Sequence, residues 1–196
     1  MKKRMSILLA AVLCLVLTGC GVTPPERAAD GSNWDLDWVT LGSALGVDAP
    51  EGWTLRETGQ SRANEGLLYA MWSMGEEESQ IDEDGEETVL YDIELQVLLI
   101  GAPSPTSAAD TIEEWMSLAN THLAVDSTAE QTCNGQPYTV LTYAYGDQEN
   151  PYDRGAAAYG VYHNYAINVE LSCRENASED AAELLVEFLE RCHYGR

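Results

Sequence analysis

Apolar and polar positions alternate more regularly between residues 89 and 99 than anywhere else in the chain. Val89, Tyr91, Ile93, Leu95, Val97 and Leu99 stand at every second position, with Asp92, Glu94 and Gln96 between them. A period of two predicts a β-strand with one face buried and the other wet. Two hairpins follow further on. Thr128 to Cys133 and Tyr138 to Tyr145 flank Asn134-Gly135, and Ala156 to Tyr162 and Tyr165 to Cys173 flank His163-Asn164. Both arrangements put turn-forming residues between strand-forming runs. In the last run Tyr165, Ile167, Val169, Leu171 and Cys173 share one face. Earlier, Trp34 to Val39 alternates weakly. A short strand, a Pro50-Glu51-Gly52 corner and Trp53 opening a second strand come next, and Leu67 to Met74 forms a third.

Two segments switch to the helical period. Ser104 to Ser107 break the strands, with Thr106 or Ser107 expected as N-cap. Ile112, Trp115, Met116, Ala119 and Leu123 then form an apolar stripe. Asn176 is expected to open a closing helix, with Glu179 three residues on in a capping-box position. Its stripe is Leu184, Leu185, Phe188, Leu189 and Cys192. The predicted class is α+β: an antiparallel sheet covered by helices, in one domain over residues 34–196.

The N-terminus follows another rule. Lys2, Lys3 and Arg4 precede a run, Ile7 to Leu17, made only of Ile, Leu, Ala, Val and Cys. A basic start and a short apolar stretch make a secretory signal. The run falls short of the roughly 20 residues a membrane span needs. It ends in Leu17-Thr18-Gly19-Cys20, which resembles the lipobox of bacterial lipoproteins. The resemblance implies cleavage before Cys20 and a diacylglyceryl thioether on its sulfur. Residues 1–19 are then a signal peptide, and residues 20–33 the lipidated cysteine and a Pro/Gly/Ser-rich tether. The expected location is the extracytoplasmic face of the cell membrane, held by lipid alone.

A second resemblance rests on the order of elements. The Pro50-Glu51-Gly52-Trp53 corner, a long central strand, a helix, two hairpins and a closing helix together resemble the PsbP-like family over residues 44–193. That family includes an extrinsic photosystem II subunit and many bacterial lipoproteins. The resemblance implies an α/β/α sandwich and a non-catalytic accessory role. No metal-binding or photosystem-docking residue of the family is matched here.

Charge narrows the partners. The chain carries −23, and loss of Lys2, Lys3 and Arg4 takes it to −26. Every remaining base is arginine, so Schiff-base chemistry, a lysine general base and a phosphate loop are excluded from the mature chain. Nucleic acid wants a basic footprint and is not an expected partner. Cations, basic proteins or neutral polymers such as glycans suit the charge.

Dedicated chemistry is sparse. His122, His163 and His193 have no ligand spacing, and His193 is expected in a last helical turn, where a cation suits the dipole. No G-x-S-x-G, H-E-x-x-H or glycine-rich phosphate loop occurs. Neither a cofactor nor a metal is expected. The acidic stretch over residues 75–87 is expected to be a solvated hairpin tip. Placing Gly85 at the glycine of a calcium loop puts Gln80 and Tyr91 at outer ligand positions, which suits neither.

Eight of the ten tyrosines fall between Tyr138 and Tyr194. Tyr145 and Tyr152, in a polar loop, are the candidate partner-binding residues, since tyrosine anchors protein interfaces and stacks on sugars. The predicted function is a non-catalytic, lipid-anchored domain with a protein or glycan partner at the cell surface. The alternatives are a calcium-responsive protein acting through residues 75–87, or a carboxylate-based hydrolase.

Cys133, Cys173 and Cys192 remain after the anchor. An exported chain can oxidise them. Running the strands alternately up and down puts Cys133 and Cys192 at one end of the sheet and Cys173 at the other. Cys133–Cys192 is the expected pair. Three reduced, buried thiols are the alternative, because Cys173 and Cys192 lie on apolar faces.

Overall fold

The structure is a computed structural model that describes residues 38–41, 45–61, 66–81, 87–146, 150–175, 177 and 180–194. The leader, Cys20, the tether, Asn176 and Glu179 lie outside the described residues. The elements in chain order are β1 (Trp38–Leu41), β2 (Leu45–Asp48), β3 (Thr54–Gln60), β4 (Leu67–Ile81), β5 (Glu87–Gly101), α1 (Pro105–His122), β6 (Ala124–Cys133), β7 (Gln136–Ala144), β8 (Arg154–Tyr162), β9 (Tyr165–Cys173), α2 (Ala181–Leu189) and β10 (Cys192–Tyr194).

Seven strands form one sheet in the order β3-β4-β5-β9-β8-β7-β6, and every pairing in it is antiparallel. The strand with the clearest alternation, β5, lies inside the sheet, paired to β4 and β9. Its Ile93, Leu95, Val97 and Leu99 are buried, while Asp92, Glu94, Gln96 and Leu98 keep partial exposure. Both predicted hairpins form. Asn134 and Gly135 take φ of 47° and 80°, and His163 takes 53°. Two successive positive φ values suit the twist of a two-residue hairpin turn.

Successive residues of β7, β8 and β9 enter two different clusters, as the pleat requires. Tyr138, Val140, Ala156, Ala158, Ile167, Val169 and Leu171 join Leu185, Phe188 and Leu189 of α2, along with Leu41, Leu45 and Val47. Leu141, Tyr143, Ala157, Tyr159 and Ala166 join Ala108, Ile112 and Ala119 of α1. The first cluster is the larger core. Phe188 packs edge-on against Trp72 and Trp53, with ring centroids 5.1 and 5.8 Å away.

Four elements differ from expectation. The N-cap of α1 is Ser104, whose Oγ accepts from Ser107 N at 3.1 Å, with Pro105 as the first helical residue. The closing helix starts at Ala181, and Asp180 caps it by accepting from Ala182 N and Glu183 N. Cys192 and His193 belong to no helix: the chain turns after α2 and ends in β10. That strand pairs with β2, which also pairs with β1, in a separate small sheet.

The acidic stretch is mostly strand. Beyond Ile93, where β9 stops at Cys173, β4 and β5 continue alone from Glu77↔Tyr91 to Ile81↔Glu87. A ladder needs only backbone partners, so Glu76 to Gln80 can all be exposed, while Leu90, opposite Glu78, is buried. A bulge sets the arm off. Gly75 has φ of +90°, and a Cβ there would stand 2.5 Å from Asp92 Oδ2, which accepts from Glu76 N instead. Glu78 and Arg174 form an ion pair at its root.

Candidate functional site

Helix α1 lies over β8 and β9 and leans on β6. On the same face of the sheet, the half made by β3, β4 and β5 receives no such cover among the described residues. Three rows of residues cross it. Glu57, Met71, Gln96 and Glu170 are register neighbours; so are Ser73, Glu94 and Ser172; so are Tyr69, Leu98 and Asn168. Met71, Glu94, Gln96, Leu98, Glu170 and Ser172 are half-buried. The period-two pattern marks these positions as wet. It does not show that their neighbours across the sheet are aromatic.

Along the β9 border of this half-face runs a hydrogen-bond network. Tyr143 of β7 donates to Glu170 Oε1 at 2.9 Å. Tyr145 donates to the same oxygen at 3.3 Å and shares a 2.8 Å hydrogen bond with Ser172 Oγ. The two rings meet edge to face at 5.3 Å. At the β3 edge, Arg56 donates from Nε to Ser73 Oγ at 2.6 Å and lays its guanidinium 4.3 Å above the Tyr91 ring. Arg56 sits in a register shift between Leu55 and Glu57. Tyr69 donates to Glu57 Oε1 at 2.6 Å.

Electrostatics follow from enclosure. Burial raises the Glu170 carboxyl above the ordinary range, and the Tyr143 and Tyr145 hydroxyls partly offset it. Burial also raises Glu94, against which the Tyr152 hydroxyl lies. The phenols of Tyr143, Tyr145, Tyr152 and Tyr159 are all pushed up, by burial first and then by the nearby carboxylates. They therefore stay neutral donors. A surface of this kind offers hydroxyl donors, carboxyl acceptors and one guanidinium.

The two candidate tyrosines come together here. Tyr145 and Tyr152 both sit at the edge of the half-face, held by a loop in which Tyr145 N donates to Asp153 O and Tyr152 N to Asn150 Oδ1. Both are half-buried rather than free, and the Tyr145 hydroxyl is engaged inside the network. The flanking members Tyr143, Glu94 and Glu170 escape a reading of spacing, because their partners lie on other strands. The histidines are elsewhere: His122 ends α1, His163 is in a turn, and His193 is in β10. Among the described residues no group of three or more His, Cys, Asp or Glu is placed to hold a metal ion. No helix there is long and apolar enough to cross a membrane.

Cys133, Cys173 and Cys192 are free, buried thiols in this structure. Cys133 and Cys192 lie at one end of the large sheet. Cys173 terminates β9 at the other, about 27 Å along the strand from Tyr165.

Among solved structures, the fold is similar to the solution structure of cyanobacterial PsbP (CyanoP) from Synechocystis sp. PCC 6803. The TM-score is 0.51 and the identity 16%, over 87% of this chain and 99% of that one. A crystal structure from Bacteroides thetaiotaomicron VPI-5482 is more distant. Its TM-score is 0.40 and its identity 11%, over 78% of this chain and 45% of that one. No family model matches the chain, and no curated protein matches it in sequence.

Proposed function

We propose that this chain, whose fold is PsbP-like, is a non-catalytic, lipid-anchored module of the extracytoplasmic face that binds a partner at the cell surface. The arrangement in this reading is an α/β/α sandwich, with α1 and α2 on opposite faces of the large sheet. Cys20 carries the anchor, and residues 20–33 space the domain from the membrane. Two or three acyl chains hold such a domain stably, where a single chain binds only marginally. The partner docks on the uncovered half-face, between the Arg56 edge and the Tyr145–Tyr152 loop.

One observation carries the docking face. The row Met71, Gln96 and Glu170 stays half-exposed, with the Tyr143 and Tyr145 hydroxyls on Glu170 at its end, while α1 shields the neighbouring half of the same face. Its tyrosines are held in place by their own hydrogen bonds, so little side-chain freedom is lost when a partner binds. A set of neutral donors beside half-buried carboxyls suits an uncharged, hydroxyl-rich or amide-rich partner surface.

Two measurements test the parts separately. Intact-mass spectrometry of protein extracted from membranes is expected to show a chain that starts at Cys20 and carries acyl mass; an unmodified chain starting at Met1 overturns the anchor. For the docking face, a photo-crosslinking residue at Met71 in intact cells is expected to capture a partner that the same residue at Glu113, on the outside of α1, does not. The adduct is expected to disappear with Arg56→Ala and Tyr152→Ala together. Equal capture from both positions, or none from Met71, overturns it.

A further inference from the structure

We infer that Cys133 and Cys192 close a disulfide between the β6–β7 hairpin and the last strand, leaving Cys173 as a buried thiol. Cys133 is the last residue of β6. The residue after it, Asn134, grips the chain twice where α2 hands over to β10. Its Nδ2 donates to Cys192 O at 2.6 Å, and its N–H donates to Glu190 Oε2 at 3.0 Å. Cys133 and Cys192 are 1% and 0% exposed and belong to one core cluster. Both thiols are felt by the same two phenols, Tyr138 and Tyr194, which share a hydrogen bond. Each sulfur is thus held within a strand-to-hairpin contact. Cys173, at the far end of β9, is beyond the roughly 7 Å between Cα atoms that a bridge spans.

Burial decides when the bond forms. The Cys192 thiol is pushed up to about 12 by enclosure first, with the nearby Cys133 adding to it. Enclosure likewise raises Cys133, with Glu190 adding to it. A neutral, shielded thiol is a poor nucleophile. Oxidation therefore belongs to folding, before β10 docks. One thiolate attacks an external disulfide and expels one of its sulfurs as a thiolate. The second cysteine then attacks the mixed disulfide and expels the other. The chain's two thiols give up two electrons and two protons, and the external disulfide leaves as two thiols. In the cell that oxidant is an extracytoplasmic disulfide, so the timing in vivo rests on the location proposed above. The test supplies its own oxidant.

The bond would close a loop of nearly 60 residues and tie the small β1–β2–β10 sheet to the large one. Protein extracted from membranes is reduced, unfolded in guanidinium and refolded with a mixture of oxidised and reduced glutathione. It is then alkylated and mapped with Glu-C. The expected product has a Cys133–Cys192 crosslink and an alkylated Cys173. Its melting temperature is expected on the order of 10 °C above that of the same protein refolded reduced. Cys173→Ser keeps that rise, and Cys192→Ser loses it. Three alkylated thiols, or any crosslink that contains Cys173, overturn the inference. A crosslinked chain that carries no acyl mass upholds it while overturning the anchor.

Discussion

The ring of Tyr143 occupies the space that a side chain at Gly155 would need. A Cβ there would stand 2.7 Å from Tyr143 Cε2 and 2.5 Å from Leu171 O. Because its register partner on β8 is a glycine, the Tyr143 ring can lie across β8 there, and its hydroxyl reaches Glu170 on β9. The device recurs. Tyr138 lies over Gly160 and its hydroxyl meets Tyr194, and Tyr69 lies over Gly59 and its hydroxyl meets Glu57.

Gly155→Ala is therefore expected to lower stability by about 2–3 kcal/mol, from overpacking and the displaced Tyr143 bond. Leu171 O is backbone and cannot swing away. Gly146→Ala is the control, since nothing lies within 4 Å of a Cβ there; it is expected to stay within about 0.5 kcal/mol of the parent. Urea unfolding at constant m-value measures both. Equal midpoints for the two variants would refute the ring-over-glycine account.

Glu94 and Glu170 set a pH dependence. Both folded carboxyls titrate above their ordinary value of 4.5, so over that range the folded chain holds protons that the unfolded chain has lost. Stability is then greatest below about pH 4.5 as far as these two groups are concerned, and it falls as pH rises through their folded values. The slope is at most about 1.4 kcal/mol per pH unit for each group. The double variant Glu94→Gln, Glu170→Gln removes this term but keeps the general repulsion of an acidic chain. Its unfolding free energy is expected to fall less than the parent's between about pH 5 and about pH 8. Parallel curves would show that neither carboxyl titrates high.

Phe188 is the aromatic plug of the larger core, at 0% exposure between Trp72 and Trp53. Phe188→Ala is expected to cost about 3–5 kcal/mol and to alter the near-UV circular dichroism of the two tryptophans. A loss under about 1 kcal/mol would mean that α2 does not seat as described.

Much of this fold is readable in the sequence because alternation survives wherever one strand face is buried. The central strand β5 follows that rule, while turn residues mark both later hairpins and the helical period marks the stripes of the two helices. Three features carry no such mark. Residues 75–81 look like a loop because six polar or small positions, Gly75 to Gln80, hide a ladder made only of backbone bonds. The strand β10 has three residues, too short for any period, and its cysteine fits the preceding helical stripe equally well. The half-face is hidden for a different reason. Glu94 and Glu170 occupy positions that alternation marks as solvent-facing, and what encloses them is a set of tyrosines from other strands. Tyr145 and Tyr152 stand out by composition. The carboxyls they meet are fixed only by strand order.

The small sheet places the first and last described strands, β1 and β10, on either side of β2. Tension arriving from the membrane side would reach Trp38 first and peel its pairing with Asp48, then the next rung, one at a time. Leu41 of β1 sits in the core with Leu45 and Val47 of β2 and Cys192 of β10. Stripping four residues of β1 would pay out about 14 Å of chain and break no strand pairing of the seven-stranded sheet, but it would withdraw Leu41 from the core and end the packing of β1 on β4. Were the domain moored at its N-terminal end, as proposed, the β1–β2 rungs would be the first strand pairing to yield under a tug.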